Sequence, residues 1–161
     1  MIQIQIAVCG PGVATEEEGR WAEEAGRLLA EEGAVVVCGG MTGVMDAAAR
    51  GARQAGGLAL GILPGRGLEG ASEHLSAAVV TGMGEARNAL VVRSADAVLA
   101  IAGEYGTLSE IALALKMGVP VVGLRTWELA KGGEPVEAFV RAAGVPDAVR
   151  EAMRLARERR S

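Results

Sequence analysis

Short apolar runs alternate with amphipathic stretches along the whole chain. The runs have the length of strands and end in glycine or proline, and they predict strands at residues 2–9, 34–38, 58–63, 77–81, 97–102 and 120–124. Between and after them, apolar residues recur at helical spacing, which predicts helices at residues 16–31, 44–54, 85–94, 108–117, 135–143 and 146–159. Residues 64–73 are rich in glycine and predict an irregular loop.

This alternation of strand and helix determines the expected fold class. Repeated strand–helix–strand units connect by right-handed crossovers and build an open parallel sheet. We therefore expect an α/β protein with a Rossmann-like, doubly wound parallel sheet and helices on both faces. Residues 1–161 are expected to form one Rossmann-like nucleotide-binding domain, since this length suits a single core.

Composition and charge narrow the function classes. Half of the residues are hydrophobic, yet the chain has only one Phe, one Tyr and two Trp, so the core must be aliphatic. The net charge of −4 gives no electrostatic reason to bind nucleic acid. No apolar run is long enough for a membrane span and no signal peptide is recognisable, so we expect a cytoplasmic protein with no membrane partner.

Three glycine-rich loops follow predicted strands. In open parallel sheets, ligands bind beyond the carboxyl ends of the strands, where glycine lets the backbone approach a phosphate. A single loop of this kind is readily explained as a tight turn, but three at one edge indicate an anion site. The residues expected to bind substrate or phosphate in these loops are Gly10, Gly39, Gly40, Thr42, Gly43, Gly103, Gly106 and Thr107.

The third loop raises a question, because the acidic residues Glu104 and Glu110 lie in or just after it. Spacing alone leaves two interpretations of Glu110 open. Thr107 and Glu110 have the spacing of a capping box, in which the threonine caps a helix and the glutamate bonds back to it. Alternatively, Glu110 is an acid that acts on a ligand held by the loop.

Arg87 and Asn88 follow the glycines of residues 82–84 and are candidates for the same site. An arginine there could neutralise a phosphate or pair with a carboxylate, although an exposed surface arginine is the simpler interpretation on spacing alone. We expect Cys9 and Cys38 to be small buried side chains, and His74 to lie at the surface. With one histidine and no carboxylate cluster, neither a metal site nor a Ser-His-Asp hydrolase is expected.

Several of these segments together resemble the Lonely Guy (LOG) family. They are CGGMTGVMDAAARGARQAGG, LALGILPG, GEARN and AGEYGTLSEIALAL, and they extend from about residue 4 to residue 124. The family pattern PGGxGTxxE is matched at Gly103, Gly106, Thr107 and Glu110. Ala102, Glu104 and Asn88 depart from the family's proline, glycine and lysine, and the Arg-Asn form looks more like the branch near the molybdenum cofactor carrier and the DprA-related proteins.

The resemblance implies two alternative functions. The main expectation is a nucleoside 5′-monophosphate phosphoribohydrolase, which cleaves an N-glycosidic bond and uses Arg87 and Glu110 as catalytic residues. The alternative is a carrier that binds a nucleotide or the molybdenum cofactor, a phosphorylated pterin, without turnover; the departures at Glu104 and Asn88 favour it. In both cases Asn88 belongs to the ligand site, no cofactor or metal serves the protein itself, and the assembly is a homodimer or homotetramer.

Many family members carry the label "possible lysine decarboxylase", but this chain lacks the lysine that such an activity needs. A pyridoxal phosphate enzyme needs a lysine that forms a Schiff base in the site. The chain has only Lys116 and Lys131, one expected late in a helix and the other in a glycine-rich turn. We therefore reject this activity.

Overall fold

A seven-stranded parallel sheet forms the centre of the computed structural model, which describes residues 1–161. The strands of the protein are β1 (Gln5–Cys9), β2 (Val35–Cys38), β3 (Ala59–Leu63), β4 (Ala77–Val80), β5 (Ala97–Ile101), β6 (Val121–Leu124), β7 (Leu129–Lys131), β8 (Glu134–Val136) and β9 (Val140–Arg141). The order in the sheet is β4-β3-β2-β1-β5-β6-β9, and β7 and β8 form a separate antiparallel hairpin. The α/β fold with a Rossmann-like parallel sheet is confirmed.

Five α-helices cover the two faces of this sheet. They are α1 (Glu16–Glu31), α2 (Val44–Gln54), α3 (Asn88–Arg93), α4 (Tyr105–Met117) and α5 (Val145–Arg160), and a 3₁₀ helix (Gly84–Arg87) leads into α3. The helices α1, α2 and α5 pack on one face, and α3 and α4 pack on the other. None of the helices has both the length and the apolar character needed to cross a bilayer.

The α1–α2 contact is unusually close because glycine lies on both helices. A Cβ atom at Gly26 would lie 2.0 Å from the carbonyl oxygen of Ala48, and one at Gly51 would lie 1.9 Å from that of Glu23. The two backbones therefore touch directly, and this fixes α2 against α1. Because α2 follows the second glycine-rich loop, this contact also holds that loop in place.

The helix predicted at residues 135–143 is wrong. In its place the chain forms the β7–β8 hairpin and the short strand β9, which pairs in parallel with β6. Gly132 and Gly133 both have positive φ, 59° and 86°, as a two-residue hairpin turn requires. This turn chemistry outweighs the weak helical spacing of the residues that follow.

Most of the other predicted boundaries agree with the structure to within a few residues. The helices α1 and α2 have the predicted bounds, and Gly33 ends α1 with φ of +79°. The helix predicted at residues 85–94 divides into the 3₁₀ helix and α3. The largest differences are three residues: β1 begins later than predicted, at Gln5, and α4 begins earlier than predicted, at Tyr105.

Candidate functional site

The three glycine-rich loops lie at the carboxyl edge of the sheet. They follow β1, β2 and β5, which are neighbours in the sheet with β1 in the middle. The strand order reverses between β1 and β5, because β1 leads towards β4 on one side and β5 towards β9 on the other. In an open α/β sheet this is the place where a ligand binds.

Arg87 is buried at this edge and has no carboxylate partner. Its side chain extends from the 3₁₀ helix, and the residue is only 8% exposed. Nη1 donates a hydrogen bond to Oδ1 of Asn88, and Nη2 donates a long one of 3.4 Å to the carbonyl oxygen of Gly39. Nε has no partner, and Arg87 forms no ion pair. The simpler interpretation, an exposed surface arginine, is therefore wrong.

Asn88 links Arg87 to the helix α4. It is 3% exposed, and its Nδ2 donates a 3.0 Å hydrogen bond to Oγ of Ser109. The Ser109 hydroxyl in turn donates a 2.6 Å bond to the carbonyl oxygen of Gly106. Ser109 carries no sequence signal for this contact, because nothing in the spacing of residues 88 and 109 indicates that they meet.

The capping box proposed for Thr107 and Glu110 is not formed. Because α4 begins at Tyr105, its N-cap is Glu104, whose side chain makes no capping hydrogen bond. Thr107 is already the third helical residue, and Glu110 lies in the second turn. Glu110 therefore does not bond back to a cap, and its carboxyl group is available for another role.

The carboxyl group of Glu110 lies close to Cys9, at the end of β1, and near enough to Arg87 to be affected by its charge. Burial raises its pKa to about 7, while a hydrogen bond with Cys9 and the charge of Arg87 act in the opposite direction. The nearby carboxylate of Glu85 raises this pKa further. Glu110 is thus a carboxyl group that can be neutral near physiological pH beside a fixed positive charge.

Both cysteines are buried near this carboxyl group, as expected from the sequence. Burial raises the pKa of the Cys9 thiol well above its ordinary value, and the charge and hydrogen bond of Glu110 raise it further. Burial likewise raises the pKa of Cys38 to about 12. Both groups are therefore neutral thiols and poor nucleophiles at physiological pH.

The glycines of the first two loops are needed for packing. A Cβ atom at Gly10 would lie 2.7 Å from the carbonyl oxygen of Ile101, and one at Gly39 would lie 2.7 Å from Nη2 of Arg87. Gly43 has φ of +66°, and its Cβ would lie 2.2 Å from the carbonyl oxygen of Pro11. These residues bring the three loops and Arg87 together, whatever else they contact.

The remaining predicted binding residues differ in exposure. Gly40 is buried against Leu63, and Thr42 is exposed, with its hydroxyl donating a 2.8 Å hydrogen bond to the carbonyl oxygen of Gly12. Thr107 is 2% exposed, and its Oγ1 has no hydrogen-bond partner. Gly106 is exposed, and nothing lies within 4 Å of the place where its Cβ would be.

Gly103 brings an aromatic side chain onto the third loop. Its φ is +144°, and the indole Nε1 of Trp127 would lie 3.1 Å from a Cβ atom there. That Nε1 donates a 3.1 Å hydrogen bond to the carbonyl oxygen of Glu104. The ring of Tyr105 lies against Trp127 with the centroids 5.7 Å apart.

His74 is half-buried at the surface, and its ring is held by a neighbouring carboxylate. Its Nδ1 is 2.9 Å from Oδ1 of Asp46, which also accepts a 2.7 Å hydrogen bond from the hydroxyl of Ser72. Burial alone would raise the pKa of Asp46, but these hydrogen bonds and the charges of His74 and Arg50 lower it. The cluster attaches the loop after β3 to α2.

Solved structures of two molybdenum cofactor proteins are similar to this chain over nearly its whole length. The molybdenum cofactor binding protein of the phototrophic bacterium Rippkaea orientalis has a TM-score of 0.86 and 34% identity, and the match covers 96% of this chain and 98% of that one. The Moco carrier protein of Chlamydomonas reinhardtii has a TM-score of 0.84 and 32% identity, covering 98% and 99%. DNA processing protein A of Helicobacter pylori, at 19% identity and a TM-score of 0.71 over 94% of this chain and 80% of that one, is similar in fold alone.

Sequence comparison gives a relative and a family. A protein of Archaeoglobus fulgidus, described only as uncharacterized, is 45% identical over 122 residues, which are 76% of this chain and 80% of that protein. The family description SLOG cluster4 matches residues 3–152. This match includes all three glycine-rich loops, Arg87 and α4, and it agrees with the resemblance to LOG and DprA-related proteins seen in the motifs. The chain belongs to the SLOG cluster4 family.

Proposed function

We propose that this protein binds and carries a phosphorylated pterin of the molybdenum cofactor class. The observation that carries the proposal is the state of Arg87. A guanidinium is charged at every physiological pH, and burying one without an opposite charge is costly. Arg87 is buried with an unpartnered Nε and no carboxylate within ion-pair distance. An anionic ligand would supply the missing charge.

The surroundings of Arg87 suit a phosphate group in particular. The first turn of an α-helix has N–H groups without intrahelical partners, and its dipole favours an anion. The first turn of α4 contains Gly106, which leaves its backbone open, and Thr107, whose buried hydroxyl also lacks a partner. Arg87, this hydroxyl and these N–H groups are therefore the donors that we assign to the phosphate of the ligand.

The acids of the third loop are compatible with this assignment. The Glu104 side chain is exposed and makes no hydrogen bond to the start of α4. Glu110, with a pKa of about 7, can be protonated when an anion binds beside it. A protonated carboxyl group donates a hydrogen bond to an anion and no longer repels it.

The similarity to the two molybdenum cofactor proteins supports a carrier more than an enzyme. It extends over at least 96% of the chain, and so includes the edge of the sheet where Arg87 lies. A carrier needs an anion site and a place for the pterin, but it needs no acid or base with a defined role in bond cleavage.

The test is retention of the molybdenum cofactor released from a molybdoenzyme. The purified protein is incubated with the cofactor and ultrafiltered, and the retained pterin is oxidised and measured by its fluorescence. We expect Arg87→Ala to weaken binding by about 10- to 100-fold, the scale of one or two lost charge-assisted hydrogen bonds. Arg20→Ala, which removes an exposed arginine paired with Glu16, is the matched control and should bind like the wild type. A wild type that retains no more pterin than Arg87→Ala contradicts the proposal.

Hydrolysis of a nucleoside monophosphate is a second candidate function, favoured by the presence of Glu110 beside Arg87. In this reaction water attacks the anomeric carbon of the ribose and the base leaves, with positive charge developing on the sugar. The ionised Glu110 would stabilise that charge or orient the water, while Arg87 holds the phosphate.

The two candidates are separated by incubation with the four common ribonucleoside monophosphates and chromatography of the free base. Turnover that falls by roughly two orders of magnitude in Glu110→Gln supports the enzyme. Turnover that persists in Glu110→Gln contradicts the catalytic assignment. Binding of a phosphorylated ligand without release of the free base supports the carrier function.

A further inference from the structure

Three of the four aromatic residues of the chain lie together beside the third glycine-rich loop. They are Tyr105, Trp127 and Phe139; the fourth, Trp21, packs on the opposite face of the sheet. If these residues served only to fill the apolar core, we would expect them to be buried. Tyr105 is instead 78% exposed, which is the most unusual feature of the group.

Tyr105 is exposed, but rotation of its side chain would break its contact with Trp127. Its ring centroid lies 5.7 Å from that of Trp127, with an angle of 30° between the planes, so the two rings pack against each other at a tilt. Trp127 is fixed at both ends, because its Nε1 donates to the carbonyl oxygen of Glu104 and its own carbonyl oxygen accepts a 3.1 Å bond from Arg141. Arg141 is held in turn over the ring of Phe139, with Cζ 4.9 Å from the centroid.

Tyr105 borders a groove that also reaches Gly106, in the first turn of α4, and Asn88, which binds Arg87. The groove has a volume of about 580 Å³ and lies between the 3₁₀ helix with α3 on one side and α4 on the other. Its lining includes Asn88, Tyr105, Gly106 and Ser109. A volume of several hundred Å³ is typical of sites for small ligands. A ligand with its phosphate at the start of α4 would therefore have its remaining part within reach of Tyr105.

We propose that Tyr105, supported by Trp127, is a stacking surface for the flat heteroaromatic ring of the phosphorylated ligand. This inference rests on the proposed function and extends it from the phosphate to the ring, which distinguishes one ligand of this class from another. Aromatic rings that are already held in place bind a flat ring with little loss of conformational entropy. The same chemistry fits a pterin and a purine, so the test must include both.

The experiment measures the affinity of three probes by titration calorimetry. Neopterin monophosphate and guanosine monophosphate carry a ring and a phosphate, whereas glycerol phosphate carries the phosphate without a ring. We expect the wild type to bind a ring-bearing probe more tightly than glycerol phosphate. Tyr105→Ala should weaken the ring-bearing probe by about 5- to 100-fold, the range measured for loss of one stacking residue, and should leave glycerol phosphate unchanged.

Two variants serve as controls. Tyr105→Phe keeps the ring and should bind within about twofold of the wild type, since stacking needs no hydroxyl. Leu58→Ala truncates another side chain that is 47% exposed, at the opposite edge of the sheet, and should change no affinity. In a Trp21→Phe background, Trp127 is the only tryptophan, and its fluorescence should change with a ring-bearing probe but not with glycerol phosphate.

The outcomes distinguish this inference from the proposed function. If the wild type binds none of the probes, the phosphate site itself is wrong. If it binds glycerol phosphate as tightly as the ring-bearing probes, or if Tyr105→Ala weakens all three equally, the stacking surface is wrong and the phosphate site stands. If Tyr105→Ala dissociates the protein in light scattering and leaves every affinity unchanged, the pair is a subunit contact and the inference is overturned.

Discussion

Asn88 holds Ser109 at a distance of 3.0 Å between its Nδ2 and the serine Oγ, and so joins the start of α3 to α4. The other end of the same amide accepts a hydrogen bond from Arg87. The guanidinium is therefore oriented by a neutral group, and no carboxylate forms an ion pair with it. This arrangement explains how Arg87 can be fixed in position and still attract an anion.

The first prediction concerns this neutral partner. Asn88→Asp places a carboxylate where the amide accepts from Arg87, and the resulting ion pair competes with any anionic ligand. We expect binding of glycerol phosphate to weaken by at least about tenfold, a loss of roughly 1.4 kcal/mol, while the thermal midpoint stays the same or rises. Calorimetric titration and thermal unfolding of the same sample measure the two effects.

Asn88→Ala is the control for this change, because it removes the hydrogen bonds without adding charge. It should lower stability more than Asn88→Asp and weaken binding less. Equal binding by the wild type and Asn88→Asp would show that Arg87 does not hold the anion.

The second prediction concerns Gly106, in the first turn of α4. No atom lies near the place of its Cβ, so Gly106→Ala should stabilise the helix by about 0.5–1 kcal/mol. If a phosphate approaches this backbone, the added methyl group weakens its binding. Gly19→Ala in α1, where a Cβ also meets nothing within 4 Å, should give a similar stabilisation with unchanged affinity. Denaturant unfolding and titration of both variants provide the comparison.

The third prediction is a pH dependence of stability caused by Glu110. Its pKa is about 7 in the folded protein and ordinarily 4.5, so the folded state binds the extra proton between these values. The free energy of unfolding should therefore fall as pH rises from about 4.5 to 7 and then level off, with a loss of up to about 3 kcal/mol from this group. Glu110→Gln should lack this component, so its stability relative to the wild type should increase through the same window in denaturant titrations. A constant difference between the two proteins across this range contradicts the assignment.

The fourth prediction is that protonation of Glu110 is coupled to ligand binding. An anion beside Glu110 favours the protonated carboxyl group, so binding should take up a proton and weaken as pH rises through about 7. Calorimetry in two buffers with different enthalpies of ionisation measures this uptake. Glu110→Gln should bind without the additional uptake, and this control separates the glutamate from the titration of the phosphate itself.

The fifth prediction is that the protein forms at least a dimer through apolar surface on α3 and just before the 3₁₀ helix. Leu90 on α3 is 37% exposed, and Met83 just before the 3₁₀ helix is 47% exposed, so apolar surface is left uncovered on this side of the sheet. Light scattering at micromolar concentration should give a dimer or tetramer mass, and Leu90→Glu should lower it. A monomer mass for the wild type contradicts this prediction.

The sequence was sufficient to predict the main elements because their signals are local. Alternating apolar runs and helical spacing determine β1 to β6 and the four longer helices, and the glycines at strand ends place the loops at one edge. The β7–β8 hairpin was missed because two glycines in a polar stretch are weak evidence against a helix. The strand β9 was missed because it has only two residues, too few to show any periodicity.

The site was predictable in its residues but not in its contacts. The motifs indicated Arg87, Asn88 and Glu110, yet the spacing of Thr107 and Glu110 suggested a capping box that the early start of α4 prevents. The hydrogen bond between Asn88 and Ser109 and the cluster of Tyr105 with Trp127 depend on how distant segments pack. Such contacts follow from the tertiary structure and have no signal in single-sequence spacing.

The position of the site between β1 and β5 has a consequence for folding. The chain before residue 81 builds one half of the sheet and the chain after it builds the other, and within the sheet they meet only where β1 pairs with β5. Arg87 comes from the second half, and its hydrogen bond to Gly39 reaches the first. The position of Arg87 therefore depends on this seam being closed, and a ligand that binds Arg87 would bind the closed form best. Its binding energy would oppose separation of the two halves, so the ligand-bound protein would be harder to open and to proteolyse than the free protein.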